Sequence, residues 1–188
     1  DESITKEDIF WYVYGVLHSP EYRSRFAANL KKQLARIPLA GDFWAFSRAG
    51  RELGELHLNY EDVEPWPVKE ETKLIMEDED WRVTKMPFGK KGKEKDKTVI
   101  IYNGAVKLVD IPLKAYEYQV NGKSAIEWIM DRYQVKTDRA SGIVNDPNEW
   151  SDEPQYILDL LKKVITVSMR SVDIIAELPA LEESRVGQ

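Results

Sequence analysis

A change of periodicity constrains this chain most. Up to Tyr60, apolar side chains recur at three- and four-residue spacing; beyond it, Pro65 and Pro67 forbid helix and the apolar residues fall into short β-prone runs. Three helices are expected in the first sixty residues. Thr5 and Asp8 resemble a capping box ahead of Ile9, Val13 and Leu17, and His18 suits the end of that helix, where the dipole is negative. Ser19-Pro20 restarts a second helix with a stripe of Tyr22, Phe26, Leu30 and Leu34. Asp42 caps a third, carrying Phe43, Phe46, Leu53, Leu56 and Tyr60, in which Gly50 and Gly54, one turn apart, would let another backbone approach closely.

An antiparallel meander of three or four short strands is expected next, from β-prone runs at 73–77, 81–87, 97–102 and 105–110. Asn103-Gly104 between the last two reads as a type I′ hairpin turn, which needs positive φ at both central residues. Helix returns at 124–133 with Ile126, Ile129, Met130 and Tyr133 on one face. After an irregular stretch, Ser151 is expected to cap a long helix to about Leu178, with Pro154 tolerated in its first turn and Pro179 stopping it. The expected fold is α+β, with N-terminal helices, a small antiparallel β-meander and a long C-terminal helix in one domain: residues 1–61 helical, 62–123 sheet, 124–188 helical.

Charge is segregated along the chain. Residues 61–81 hold nine acids and two bases, residues 82–123 ten bases and four acids, and residues 141–188 nine acids and four bases, within a net charge of -6. Five of the bases, Lys90, Lys91, Lys93, Lys95 and Lys97, crowd into eight residues between two expected strands. Lysines at a hairpin tip keep an exposed edge solvated, or reach the phosphates of a nucleic acid. Arg82, Lys85 and Lys107 would extend such a patch from neighbouring strands.

Most catalytic chemistry lacks its residues. There is no cysteine, and His18 and His57 are the only histidines. No Gly-rich loop ends in Gly-Lys-Ser/Thr, and no Gly-x-Ser-x-Gly elbow occurs. Glu71-Thr72-Lys73 has the form of a nuclease acid-x-lysine pair but lacks a partner aspartate on a preceding strand. The run Glu77-Asp78-Glu79-Asp80 reads as a solvated turn before Trp81, and no apolar stretch approaches a membrane span.

The stretches "YVYGVLHSPEYRSRFAANLKKQLARIPL" (12–39), "DFWAFSRAGRELGELHLNYE" (42–61), "WIMDRYQVKTDRASGIVNDPNEW" (128–150) and "ELPALEE" (177–183) resemble the C-terminal specificity domain of type ISP restriction-modification enzymes. Those are large single polypeptides joining a nuclease, a helicase-like translocase, an adenine methyltransferase and a target recognition domain. The resemblance implies a cytoplasmic, non-catalytic fragment of such a polypeptide, binding double-stranded DNA beside upstream methyltransferase and helicase domains. ATP, Mg and S-adenosylmethionine would serve those domains, with no cofactor in this fragment. DNA contacts would fall on Lys90, Lys91, Lys93, Lys95, Lys97, Arg82, Lys85 and Lys107, and on Lys136 and Arg139 of the polar stretch 134–150, which reads first as a structural cap between sheet and long helix. The competing reading is a module that joins domains without reading DNA.

Overall fold

Thr5 starts helix α1 (Lys6–His18) by a reciprocal cap: its hydroxyl accepts from the Asp8 amide while the Asp8 carboxylate accepts from the Thr5 amide at 3.0 Å. Hydrogen bonds from the Thr5 hydroxyl and amide hold the Asp8 carboxyl below its usual range. Ser19 ends α1 and caps α2 (Pro20–Arg25), which places Pro20 at the first helical position. The expected second helix does not run on to Leu34. It breaks at Phe26 (φ -104°), continues as the single turn α3 (Ala27–Leu30), and leaves Leu34 fully exposed. Phe26 instead turns its ring onto Tyr22, whose hydroxyl donates to the Arg36 carbonyl and draws the following loop back.

The computed structural model describes residues 4–181, and the chain forms two compact units. The first comprises residues up to 59 and those from 170 onward, the second residues 60–169. In the first, α1 packs on α4 (Phe43–Leu58) at a close backbone approach. A Cβ on Gly50 would stand 1.9 Å from the Trp11 carbonyl oxygen, and one on Gly54 would strike the Trp11 ring. Tyr12, Val16, Tyr22, Phe46 and Leu181 form the core of this unit.

In the second unit, β1 (Lys69–Thr72), β2 (Phe88–Lys91), β3 (Glu94–Ile101) and β4 (Val106–Val109) form one antiparallel sheet in the order β1-β4-β3-β2. Ile100, Val106 and Leu108 are buried on its inner face with Leu158, Leu161 and Ile165 of α6 (Tyr156–Ala176) and Ile126 of α5 (Ala125–Arg132). The first strand lies before its expected place, at 69–72, because Lys73 leaves the sheet to meet Asp80. Residues 78–81 form a 3-10 turn and 82–87 run outside any strand, whereas the lysine-rich stretch itself supplies β2 and the start of β3.

Asn103-Gly104 does join β3 to β4, but neither residue has positive φ. The buried Asn103 carboxamide takes over the turn: its oxygen accepts from the amides of Ala105 (2.7 Å) and Val106 (2.8 Å), and its nitrogen donates to the carbonyls of Asp80 and Arg82. The left-handed Asn-Gly turn occurs at Asn121 (φ 52°) and Gly122 (φ 77°), between β5 (Gln119–Val120) and β6 (Lys123–Ser124). Ser124 and Glu127 then make a full capping box for α5. A last hairpin, β7 (Lys136–Thr137) and β8 (Val144–Asn145), precedes α6. That helix begins at Tyr156, so Pro154 lies ahead of it, and the Ser151 hydroxyl accepts from the Glu153 amide, short of the helix start. No helix among the described residues is long and apolar enough to cross a membrane.

Two stability outcomes follow from the first unit. Gly50→Ala forces α1 and α4 apart, and urea unfolding should show a loss of about 1–3 kcal/mol. His57 shares its ring nitrogens between the hydroxyls of Tyr14 (2.8 Å) and Ser171 (2.9 Å), and burial, with the nearby His18, lowers its pKa from 6.5 to about 4. The unfolded chain therefore takes up a proton that the folded one refuses. Stability from this group is complete above about pH 6.5 and falls by roughly 1–3 kcal/mol as pH drops towards 4. Thermal melts of wild type and His57→Gln across that window should differ in slope, the variant being flatter.

Candidate nucleic-acid interface

Strand alternation decides what the outer face of the sheet presents. Val106 and Leu108 point inward, so Lys107 points out; Glu70 reaches Lys162 of α6 at 2.9 Å, so Glu71 points out. Beside these strands lies an open groove of about 800 Å³, lined also by Lys73, Asp80, Arg82, Asn103, Val135, Asp146 and Asn148. Its charges are of both signs and several are already answered. Lys73 meets Asp80 at 2.6 Å, and this contact, with the Glu77 amide, holds the Asp80 carboxyl below its usual range. Arg82 binds Glu149 at 2.7 Å and Asp146 at 3.0 Å, and these partners raise its pKa. Partial burial opposes ionisation of Asp146, but hydrogen bonds from Asn148 and the Arg82 charge outweigh it, and its carboxyl titrates below the usual range.

Asn148 gives this side of the groove its rigidity. Its oxygen accepts from the buried Val83 amide at 2.8 Å and its nitrogen donates to the Val83 carbonyl at 3.0 Å. The polar stretch 134–150 is thereby fastened to the segment after the 3-10 turn, and the Val135 amide adds a bond to the Thr84 carbonyl. Asn103 and Asn148 have their amides committed internally, so neither offers a free carboxamide to a ligand.

The lysine cluster sits at the other edge of the sheet. Gly92, at φ 65°, makes the β2–β3 turn, with Lys93 beside it. Lys90 and Lys95 stand directly opposite each other across the strands, a destabilising like-charge arrangement. They line a second cleft of about 350 Å³ together with Lys85, Lys123, Glu127 and Asp131. Lys123 is paired with Asp131. Lys97 is held by the fold: its ammonium lies 3.3 Å from Glu127 and over the rings of Phe88 and Tyr116.

The ten basic residues singled out in the sequence therefore do not form one patch. Arg82 and Lys107 line the large groove; Lys85, Lys90 and Lys95 line the cleft; Lys91 and Lys93 are exposed at the hairpin. Lys97 is engaged within the fold. Lys136 donates to the Asp131 carbonyl, and Arg139 stands exposed on the loop of the β7–β8 hairpin, which Asp138 braces through Ala140 and Ser141. Sequence reasoning passed over Glu71 and Lys73 as groove residues and Lys123 as a cleft residue; the phase of β1 against β4 carries the first signal, the Asn121-Gly122 turn the last. Among the described residues no group of three or more His, Cys, Asp or Glu side chains could hold a metal ion.

A four-stranded sheet backed by helices, with a mixed-charge groove at one edge and a lysine hairpin at the other, is a surface-display architecture. Residues 1–160 match the model of the Type ISP C-terminal specificity domain, and the chain belongs to that family. Solved structures that share its fold include three complexes with DNA or a DNA substrate mimic. One is a nuclease-deletion mutant of the Type ISP restriction-modification enzyme LlaGI in complex with a DNA substrate mimic, 51% identical over 97% of this chain, with TM-score 0.86. The second is the ATP-dependent Type ISP restriction-modification enzyme LlaBIII bound to DNA, 44% identical over 97%, with TM-score 0.87. The third is a DrdV–DNA complex, 32% identical over 96%, with TM-score 0.81. This chain spans 17%, 12% and 18% of those three chains respectively. Among curated proteins none matches it.

Asn148→Ala should leave the buried Val83 amide without a partner and lower the unfolding free energy by about 1–3 kcal/mol. Hydrogen exchange should quicken at Val83 and across 146–149, while the β3–β4 amides keep their protection.

Proposed function

We propose that this chain recognises double-stranded DNA as the target recognition part of a type ISP restriction-modification polypeptide. It holds the duplex against an upstream methyltransferase part, and the same recognition serves modification and restriction. Methyl transfer, ATP-driven translocation and cleavage belong to the other parts, which take S-adenosylmethionine, ATP and Mg. The observation that carries the reading is the pairing of two unlike surfaces on one sheet. The hairpin of Lys90, Lys91, Lys93 and Lys95 suits phosphates, which fix position without carrying sequence. The groove at β1 and β4, with donors and acceptors of both signs, suits base edges. That the solved relatives are DNA complexes supports the assignment of the partner. The exposed Ile9 and Phe10 of α1 favour the second reading, a module that joins domains.

Titration of the chain with random-sequence duplex at two salt concentrations separates the two. Binding should weaken steeply with salt. The triple change Lys90→Glu, Lys91→Glu and Lys93→Glu should weaken it for all sequences alike, lowering the salt slope by about one unit per lost phosphate contact. Unchanged affinity and slope return the hairpin to the role of a solvated edge. The chain alone should neither hydrolyse ATP, transfer a methyl group nor cut DNA; any of these in a pure preparation contradicts the assignment.

A further inference from the structure

The charged side chains of the large groove divide into those that answer one another and those that do not. Lys73 is held by Asp80, and Arg82 by Glu149 and Asp146. Glu71 and Lys107 are different. They face each other directly in the β1–β4 register, both are exposed, and neither has a hydrogen-bond or ion-pair partner among the described residues. Directly opposed residues of an antiparallel pair root their side chains about 4.5–5.5 Å apart. The sheet therefore presents one carboxylate acceptor and one ammonium donor side by side, at the mouth of an open groove, on two strands whose inner faces are fixed by burial and by the Glu70–Lys162 contact.

The geometry points to Glu71 and Lys107 as a base-reading pair for G·C in the major groove, with Lys107 donating to guanine O6 and N7 and Glu71 accepting from N4 of the paired cytosine. The inference rests on the DNA reading given above and adds which side chains discriminate and which base pair they choose. A carboxylate beside the ammonium repels phosphate, so this pair is ill suited to the backbone, unlike the β2–β3 hairpin. In the major groove, G·C alone gathers two acceptors on the purine and a donor on the pyrimidine. A donor and an acceptor on adjacent strands complement that pattern. The major groove is also wide enough to admit a two-stranded β-ribbon.

The test is selection of bound duplexes from a random library by the whole chain, followed by sequencing. Wild type, Glu71→Ala, Lys107→Ala and the double change Lys91→Ala with Lys93→Ala are compared; Glu71→Gln and Lys107→Gln stand in if an alanine variant melts early. Wild type should enrich a motif containing a G·C pair that both groove variants relax, at that one position, by roughly 10–100-fold in selectivity. The hairpin variant should bind all sequences more weakly and enrich the same motif. Groove variants that keep the motif intact, relax two different positions, or lose all binding without relaxing one overturn the inference and leave DNA recognition standing. A wild-type chain that enriches nothing overturns the DNA reading, and the pair with it.

Discussion

Burial of one face of a four-stranded sheet against α5 and α6 is the constraint from which the character of its outer face follows. Ile100, Val106 and Leu108 are fully enclosed, and side chains on a strand alternate between faces. Once those three point inward, Lys107 must point outward, and the β1 register that pairs Glu70 with Leu108 sets Glu71 outward beside it. A slip of one residue would bring charge into the core. The Glu70–Lys162–Asp159 contacts guard against it by tying the edge strand to α6, at 2.9 Å for each link. Packing thus dictates which polar side chains the outer face presents.

Much of this was legible in the residues, because the relevant signals are local. The Thr5–Asp8 cap, the Ser19-Pro20 restart, the Asp42 cap and the close approach at Gly50 depend on neighbours within a turn or on a missing Cβ, and each stands as read. The β1 boundary was misplaced because a long-range contact, Lys73 to Asp80, pulls Lys73 out of an otherwise β-prone run. The Asn103-Gly104 turn had the right position and the wrong mechanism. Nothing in the dipeptide reveals that the asparagine is buried and bonded to carbonyls more than twenty residues away. Asn121-Gly122, with the left-handed geometry, was passed over because only two residues pair on each side of it.

The basic cluster shows the same division between count and placement. Five lysines in eight residues are visible in a string, but not that Lys97 is drawn onto Glu127 and two aromatic rings while Lys90 and Lys95 are set face to face. Pairing also reshapes the groove: Lys73 answers Asp80, and Arg82 answers Asp146 and Glu149, so fewer of its charges are left over than the string suggests.

The β2 strand is an edge of the sheet, only four residues long, and two of the four are lysines. An unpaired edge is a template on which a second copy can add a strand, and like charges directly opposed across such a junction resist it. Positive charge at Lys90 and Lys91 therefore opposes the addition of a second copy's strand at this edge. Neutralising those lysines for crystallisation or engineering exchanges a solvated border for an adhesive one, and self-association through β2 becomes the outcome to guard against.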